Sequence, residues 1–132
     1  MCLDYVFNEE EEKAVLDTLP DTFEVWKLFR LKDGEYKTGY FYEKVHPGVN
    51  IAGVTKILCS DRSSSQTYFS GFHACLTEED LKRYVGGVNR HERIIKCTVH
   101  KEHIINVGRQ TSIYSLRKPV LVLVFSQIEF PY

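Results

Sequence analysis

The segment Gly71-Phe72-His73-Ala74-Cys75 carries residue types able to do chemistry at a place suited to presenting them. Residues 66–73 (QTYFSGFH) look extended, so the segment lies between a strand and a helix start at Thr77. Loops between strands and helices present side chains, and helix N-termini attract anions. An imidazole there can hydrogen-bond a ligand or move a proton near neutral pH, which makes His73 a candidate ligand-binding or acid–base residue. The competing reading is a structural histidine that ties the loop to a sheet, because a pattern without geometry is weak grounds for catalysis.

Other chemistries have less to stand on. His73-x-Cys75 and Cys97-x2-His100-x2-His103 contain metal-ligand types. On a strand, however, Cys97 and His100 point to opposite faces, and no CxxC pair is present, so no metal site is expected. There is no GxSxG elbow, no GxGxxG and no GKS or GKT phosphate loop, which argues against triad hydrolysis and ATP chemistry. Tyrosines and basic residues interleave in KDGEYKTGYFYEK (32–44). Aromatic and basic side chains on a sheet can stack bases of single-stranded nucleic acid, so Tyr40 and Tyr42 are candidate ligand-binding residues. The alternative is that these tyrosines pack a core with their hydroxyls at its edge.

The elements that must position these residues are partly legible. A helix over about 8–19 starts at Asn8 with Glu11 three residues on, a capping box, and four glutamates suit its positive end. Pro20 ends it. A second helix starts at Thr77 with Asp80 three later, presents Leu81, Tyr84 and Val85 on one face, and stops at Gly86-Gly87, so the Gly-Phe-His loop and helix together span about 71–86. Residues 22–31 and 36–43 flank Asp33-Gly34, a type I′ hairpin signal, within a hairpin of about 22–43. That register sets Phe29 opposite Thr38, Lys27 opposite Tyr40 and Val25 opposite Tyr42. HPGVNIAG (46–53) reads as loop, VTKILC (54–59) as a short strand and SDRSSS (60–65) as an exposed turn. Strands follow within about 92–129: ERIIKCTVH (92–100), HIINV (103–107) and PVLVLVFSQI (119–128). The last carries a continuous Val/Leu run and reads as a central strand buried on both faces. Five or six strands and two helices, grouped rather than alternating, predict a single α+β domain over residues 1–132 with a mostly antiparallel sheet.

Composition narrows the class. With 132 residues, 43% hydrophobic and 13% aromatic, the chain can bury a core without staples. Its formal net charge is −1, without the basic excess of a duplex nucleic-acid binder. Cys2, Cys59, Cys75 and Cys97 lie in a chain that opens without a secretory leader, and the longest apolar run, Val120 to Phe125, is far short of a membrane span. The expectation is a cytoplasmic protein with reduced thiols.

On the parts TFEVWKLFR, YFSGFHAC, TEEDLKRYV, ERIIKCTV and PVLVLVF, the chain resembles a group of small bacterial and phage proteins with a Gly-Phe-His motif before a helix. That resemblance implies a mobile-element accessory factor and no particular activity. Arg30 in WKLFR, Ser70 in YFSGF and Gln127-Ile128-Glu129 also stand in the order that is similar to the ADP-ribosyltransferase fold. This second resemblance implies NAD as cofactor and Arg30, Ser70, Gln127 and Glu129, with His73, as site residues. Two functions are therefore carried forward. One is a module that binds a protein or small molecule. The other is a transferase-like enzyme or its inactive relative.

Overall fold

The computed structural model describes residues 3–38, 44–53, 55–58, 67–111 and 118–131. In chain order these form β1 (Tyr5–Val6), α1 (Glu9–Leu16), β2 (Thr22–Lys32), β3 (Glu35–Thr38), β4 (Gly48–Ile51), β5 (Thr55–Leu58), β6 (Thr67–Ser70), β7 (Phe72–Ala74), α2 (Glu78–Val85), β8 (Glu92–His100), β9 (Ile104–Gln110), β10 (Val120–Phe125) and β11 (Gln127–Phe130). Two antiparallel sheets result, in the orders β1-β9-β10-β7 and β3-β2-β8-β11-β4, with β5 and β6 pairing as a separate ribbon. With two helices beside them, this is a small α+β domain.

The two sheets are joined through corners. A single 3₁₀ turn, Lys101–His103, carries the chain from β8 in one sheet to β9 in the other. Ser126 does the same between β10 and β11, and its N–H donates to the His103 carbonyl at 2.9 Å, which pins the corners together. The facing sheets then enclose one core, with Val25, Phe29, Ile95, Cys97, Ile128 and Phe130 from one and Phe72, Ala74, Val107, Leu123 and Phe125 from the other. Behind the four-stranded sheet a second cluster gathers Leu3, Tyr68, Cys75, Leu81, Val120, Val122 and Val124. Alternate residues of β10 thus enter different clusters, which explains its unbroken apolar sequence.

Local chemistry fixes the ends of these elements. Both bonds of the Asn8–Glu11 capping box form, and α1 gives way to a turn at Asp17, short of Leu19. Thr77 caps α2 by accepting from the Asp80 N–H, and Gly86 closes it in the left-handed region at φ 75°. Asp33 and Gly34 both take positive φ, 54° and 78°, as a type I′ turn requires, and Phe29 pairs with Thr38.

Three expectations change. Residues 71–74 are not a presenting loop, because Phe72–Ala74 is a strand paired with β10, in keeping with the extended reading of 66–73. The hairpin pairs from Phe29–Thr38 to Lys32–Glu35 form, and the expected pairs Lys27–Tyr40 and Val25–Tyr42 lie outside the described residues. The segment 46–53 holds β4, which pairs with β11. The run 119–128 is two strands, since the corner at Ser126 sends β11 into the other sheet.

Candidate functional site

The Gly-Phe-His motif divides its three residues among three tasks. A Cβ on Gly71 would penetrate the Phe125 carbonyl oxygen, so only glycine lets the chain cross so close to β10. Phe72 enters the core between the sheets, whereas His73 turns to the back of β7. Its Nδ1 lies 3.1 Å from the Gly71 carbonyl and its Nε2 lies 2.8 Å from the Tyr68 hydroxyl, which accepts from the Leu3 N–H at 2.9 Å. A carbonyl can only accept, so Nδ1 carries the ring proton. Nε2 of the neutral ring then takes the Tyr68 O–H. Burial first, and the nearby Lys27 ammonium second, draw the His73 pKa down to about 3. With 5% of its surface exposed and both ring nitrogens engaged, His73 fastens β7, β6 and the segment at Leu3 together.

Lys27 is the less expected member of this region. On β2 it shares the inward face with Val25 and Phe29, both fully buried. Its ammonium donates to the His73 carbonyl at 2.9 Å, and the strand geometry explains why that carbonyl is available. Cys75 exchanges both backbone hydrogen bonds with Trp26, at 2.8 and 3.0 Å. Two residues back, the His73 backbone groups face the same way. From Phe29 onward, however, that edge of β2 belongs to β3, so the Lys27 ammonium reaches the carbonyl that the strand has left. Burial draws the Lys27 pKa down to about 8, opposed by the thiols of Cys97 and Cys75. Those thiols are themselves pushed up to about 12 by burial. Cys75 faces Trp26 and Cys97 faces Val25 across β2. Two strand spacings put their Cα atoms roughly 10 Å apart, beyond disulfide reach, and both are free.

The remaining predicted residues are dispersed. Arg30 pairs in register with Glu92 of β8, and Glu129 pairs with Thr98 of the same strand. Six residues along β8 separate these positions by roughly 20 Å, too far for both to serve one reacting centre. Ser70 is 1% exposed on β6 opposite Thr55, and Gln127 sits on β11 opposite Ile51. His100 and His103 do meet edge to face, with ring centroids 5.6 Å apart, and the Thr22 hydroxyl lies 3.1 Å from His100 Nδ1. Among the described residues no three His, Cys, Asp or Glu side chains gather as metal ligands, and no helix is long and apolar enough to cross a membrane.

Two features lie outside the predicted site residues. Lys27 was signalled by a charge inside the alternation Val25-x-Lys27-x-Phe29. The other is β4, the last strand of the five-stranded sheet, where Val49 and Ile51 are 47% and 74% exposed. Asn50 between them is buried and satisfied, donating to the carbonyls of His46 and Gly48 and accepting from the His46 N–H. The alternation Val49-Asn50-Ile51 was visible, but its polar residue points inward. No protein-family model, curated protein or solved structure matches the chain.

Proposed function

We propose that the chain is a protein-binding module that adds an extended segment of its partner to β4. The observation that carries this reading is the exposure of Val49 and Ile51 on a sheet-edge strand that, among the described residues, has β11 on one side and no strand on the other. An edge strand offers a row of backbone donors and acceptors to an incoming strand. Side chains at every second position then supply selectivity. Val49 and Ile51 ask for alternating apolar residues in the partner. Glu129, opposite Val49 in register and exposed on the same face, favours a basic residue beside them.

The histidine network supports a binding role over a catalytic one. A general acid or base must reach its substrate, and both nitrogens of His73 are committed inside the fold. The test is a random-peptide display selection on the native protein, with the double variant Val49→Lys/Ile51→Lys as counter-target. Enriched peptides with alternating apolar residues, bound at least tenfold more weakly by the double variant, are expected. A selection that enriches nothing, or peptides that bind both proteins equally, overturns the reading.

A further inference from the structure

One bond sets the hydrogen-bond phase of β4. The Ala52 N–H donates to the Ser126 carbonyl at 2.9 Å, which continues the β4–β11 register by one pair. Antiparallel pairs alternate between bonded and non-bonded. Asn50–Ile128 and Gly48–Phe130 are therefore bonded pairs, whereas Val49–Glu129 and Ile51–Gln127 are not. The backbone N–H and C=O of Val49 and Ile51 thus point away from β11, and among the described residues no strand meets them. The same two residues carry the exposed apolar side chains. Asn50 between them turns its backbone to β11 and its side chain to His46 and Gly48, so it asks nothing of a partner. Pro47 closes the row on one side, because it has no N–H and its carbonyl lies 3.1 Å from His46 Nδ1.

This window of two donors and two acceptors is complementary to itself. We propose that the strand added to β4 is β4 of a second copy of this chain, antiparallel about a two-fold axis at Asn50. The inference rests on β4 being the docking edge and names its occupant. Val49 then faces the second copy's Ile51 and Ile51 faces the second copy's Val49, in bonded pairs that close four backbone hydrogen bonds and bring the four apolar side chains together on one face. Other registers do worse. A one-residue slip sets outward backbone groups against inward ones. Placing Val49 opposite its own counterpart sets Ile51 against Pro47, which has no donor. Placing Ile51 opposite its counterpart sets Val49 against Gly53, which has no side chain to pack. Charge does not oppose the contact. The two copies of Glu129, each beside its own Val49 on β11, stand roughly 16 Å apart across three strand spacings and one two-residue step. That is beyond the Debye length of about 8 Å at physiological ionic strength. So short a strand buries an area at the low end for interfaces, so the dimer is weak and forms with concentration.

Sedimentation equilibrium of the native protein from about 5 µM to about 1 mM spans the range expected of such a contact. The weight-average mass should rise from that of one chain toward that of two. Ile51→Lys and Val49→Glu should each weaken association at least tenfold, with denaturation midpoints near the native protein's because both side chains are exposed. Mixed in equal amounts, the two variants should associate at least tenfold more strongly than either alone. The register sets their introduced charges, of opposite sign, against each other and keeps the second Val49–Ile51 pair intact. Association that survives Ile51→Lys, or a mixture no stronger than its components, overturns the proposal. A native protein that stays monomeric throughout overturns it as well. In that case peptides still selected on β4 would leave the docking edge standing with another occupant, and a failed selection would remove both.

Discussion

Strands β7 and β4 are both short, both begin at or just after a glycine, and both run antiparallel to one arm of the bent β10–β11 segment. They differ in what surrounds them. All three residues of β7 are buried, with one sheet in front and α2, β6 and the Leu3 segment behind. On β4 only Asn50 is buried. The two glycines differ accordingly. Gly71 is required by the closeness of the Phe125 backbone, whereas a Cβ on Gly48 would meet nothing and only its φ of 90° excludes other residues. A strand covered on both faces has its residues dictated by the fold. A strand at an edge retains freedom, and that freedom is where a partner can act.

The comparison breaks first at the β7 side if packing there is looser than it looks. Phe125 is fully buried on β10 and packs against Phe23 at 6.1 Å between ring centroids. Phe125→Ala should cost about 4 kcal/mol in urea denaturation. Gly71→Ala should follow at about 3 kcal/mol, since the obstruction is backbone and cannot swing aside. Gly48→Ala should cost about 1–2 kcal/mol, for backbone strain alone. Equal losses at Gly71 and Gly48 would remove the distinction between a packing glycine and a turn glycine.

Next in size is the network behind β7. Tyr68→Phe leaves the Leu3 N–H and His73 Nε2 without their partner and should cost about 2 kcal/mol. The pH dependence reads the same site. Histidine in the unfolded chain titrates near 6.5 and His73 in the fold at about 3, so between these values the unfolded chain holds the extra proton. Stability therefore falls as pH falls from about 6.5 toward 3, by up to about 1.4 kcal/mol per unit from this residue. His73→Gln should flatten that slope in denaturation curves at pH 4, 5, 6 and 7. Lys27 acts in the alkaline window. From about pH 8 to 10.5 its unfolded form holds the proton, so its contribution rises with pH and Lys27→Met should abolish that rise.

What could be read from the sequence follows the same division. Elements governed by neighbouring residues were legible: the Asn8 and Thr77 caps, the Gly86 stop, the Asp33-Gly34 turn and the doubly buried β10. Each is set by a bond or periodicity within a few positions. Elements governed by distant partners were not. Phe72–Ala74 reads equally as the end of an extended run or as a loop until β10 is known to pair with it, and β4 resembles a loop until β11 does. The site was legible only as residue types. His73 was singled out, but its role turns on Tyr68 and Leu3, the latter 65 residues from Tyr68 in the chain. The order Arg30, Ser70, Glu129 implied proximity that the β8 register does not provide. A linear order carries no distance when strands pair across most of the chain.

The smallest expected effect on stability is also the sharpest test of β4. Ile51→Lys puts a charge on a side chain that is 74% exposed, with solvent to receive it and little packing to lose. Denaturation midpoints should move by less than about 0.5 kcal/mol, while any peptide selected on the native protein should lose at least tenfold in affinity. Leu123→Ala makes the opposite pattern, since that fully buried side chain lies on β10, remote from the outer face of β4. It should cost about 3 kcal/mol yet leave the affinity of the folded fraction unchanged. A fall in both quantities for Ile51→Lys would mean that β4 is packed against the fold, and its exposed face would then have no binding to explain.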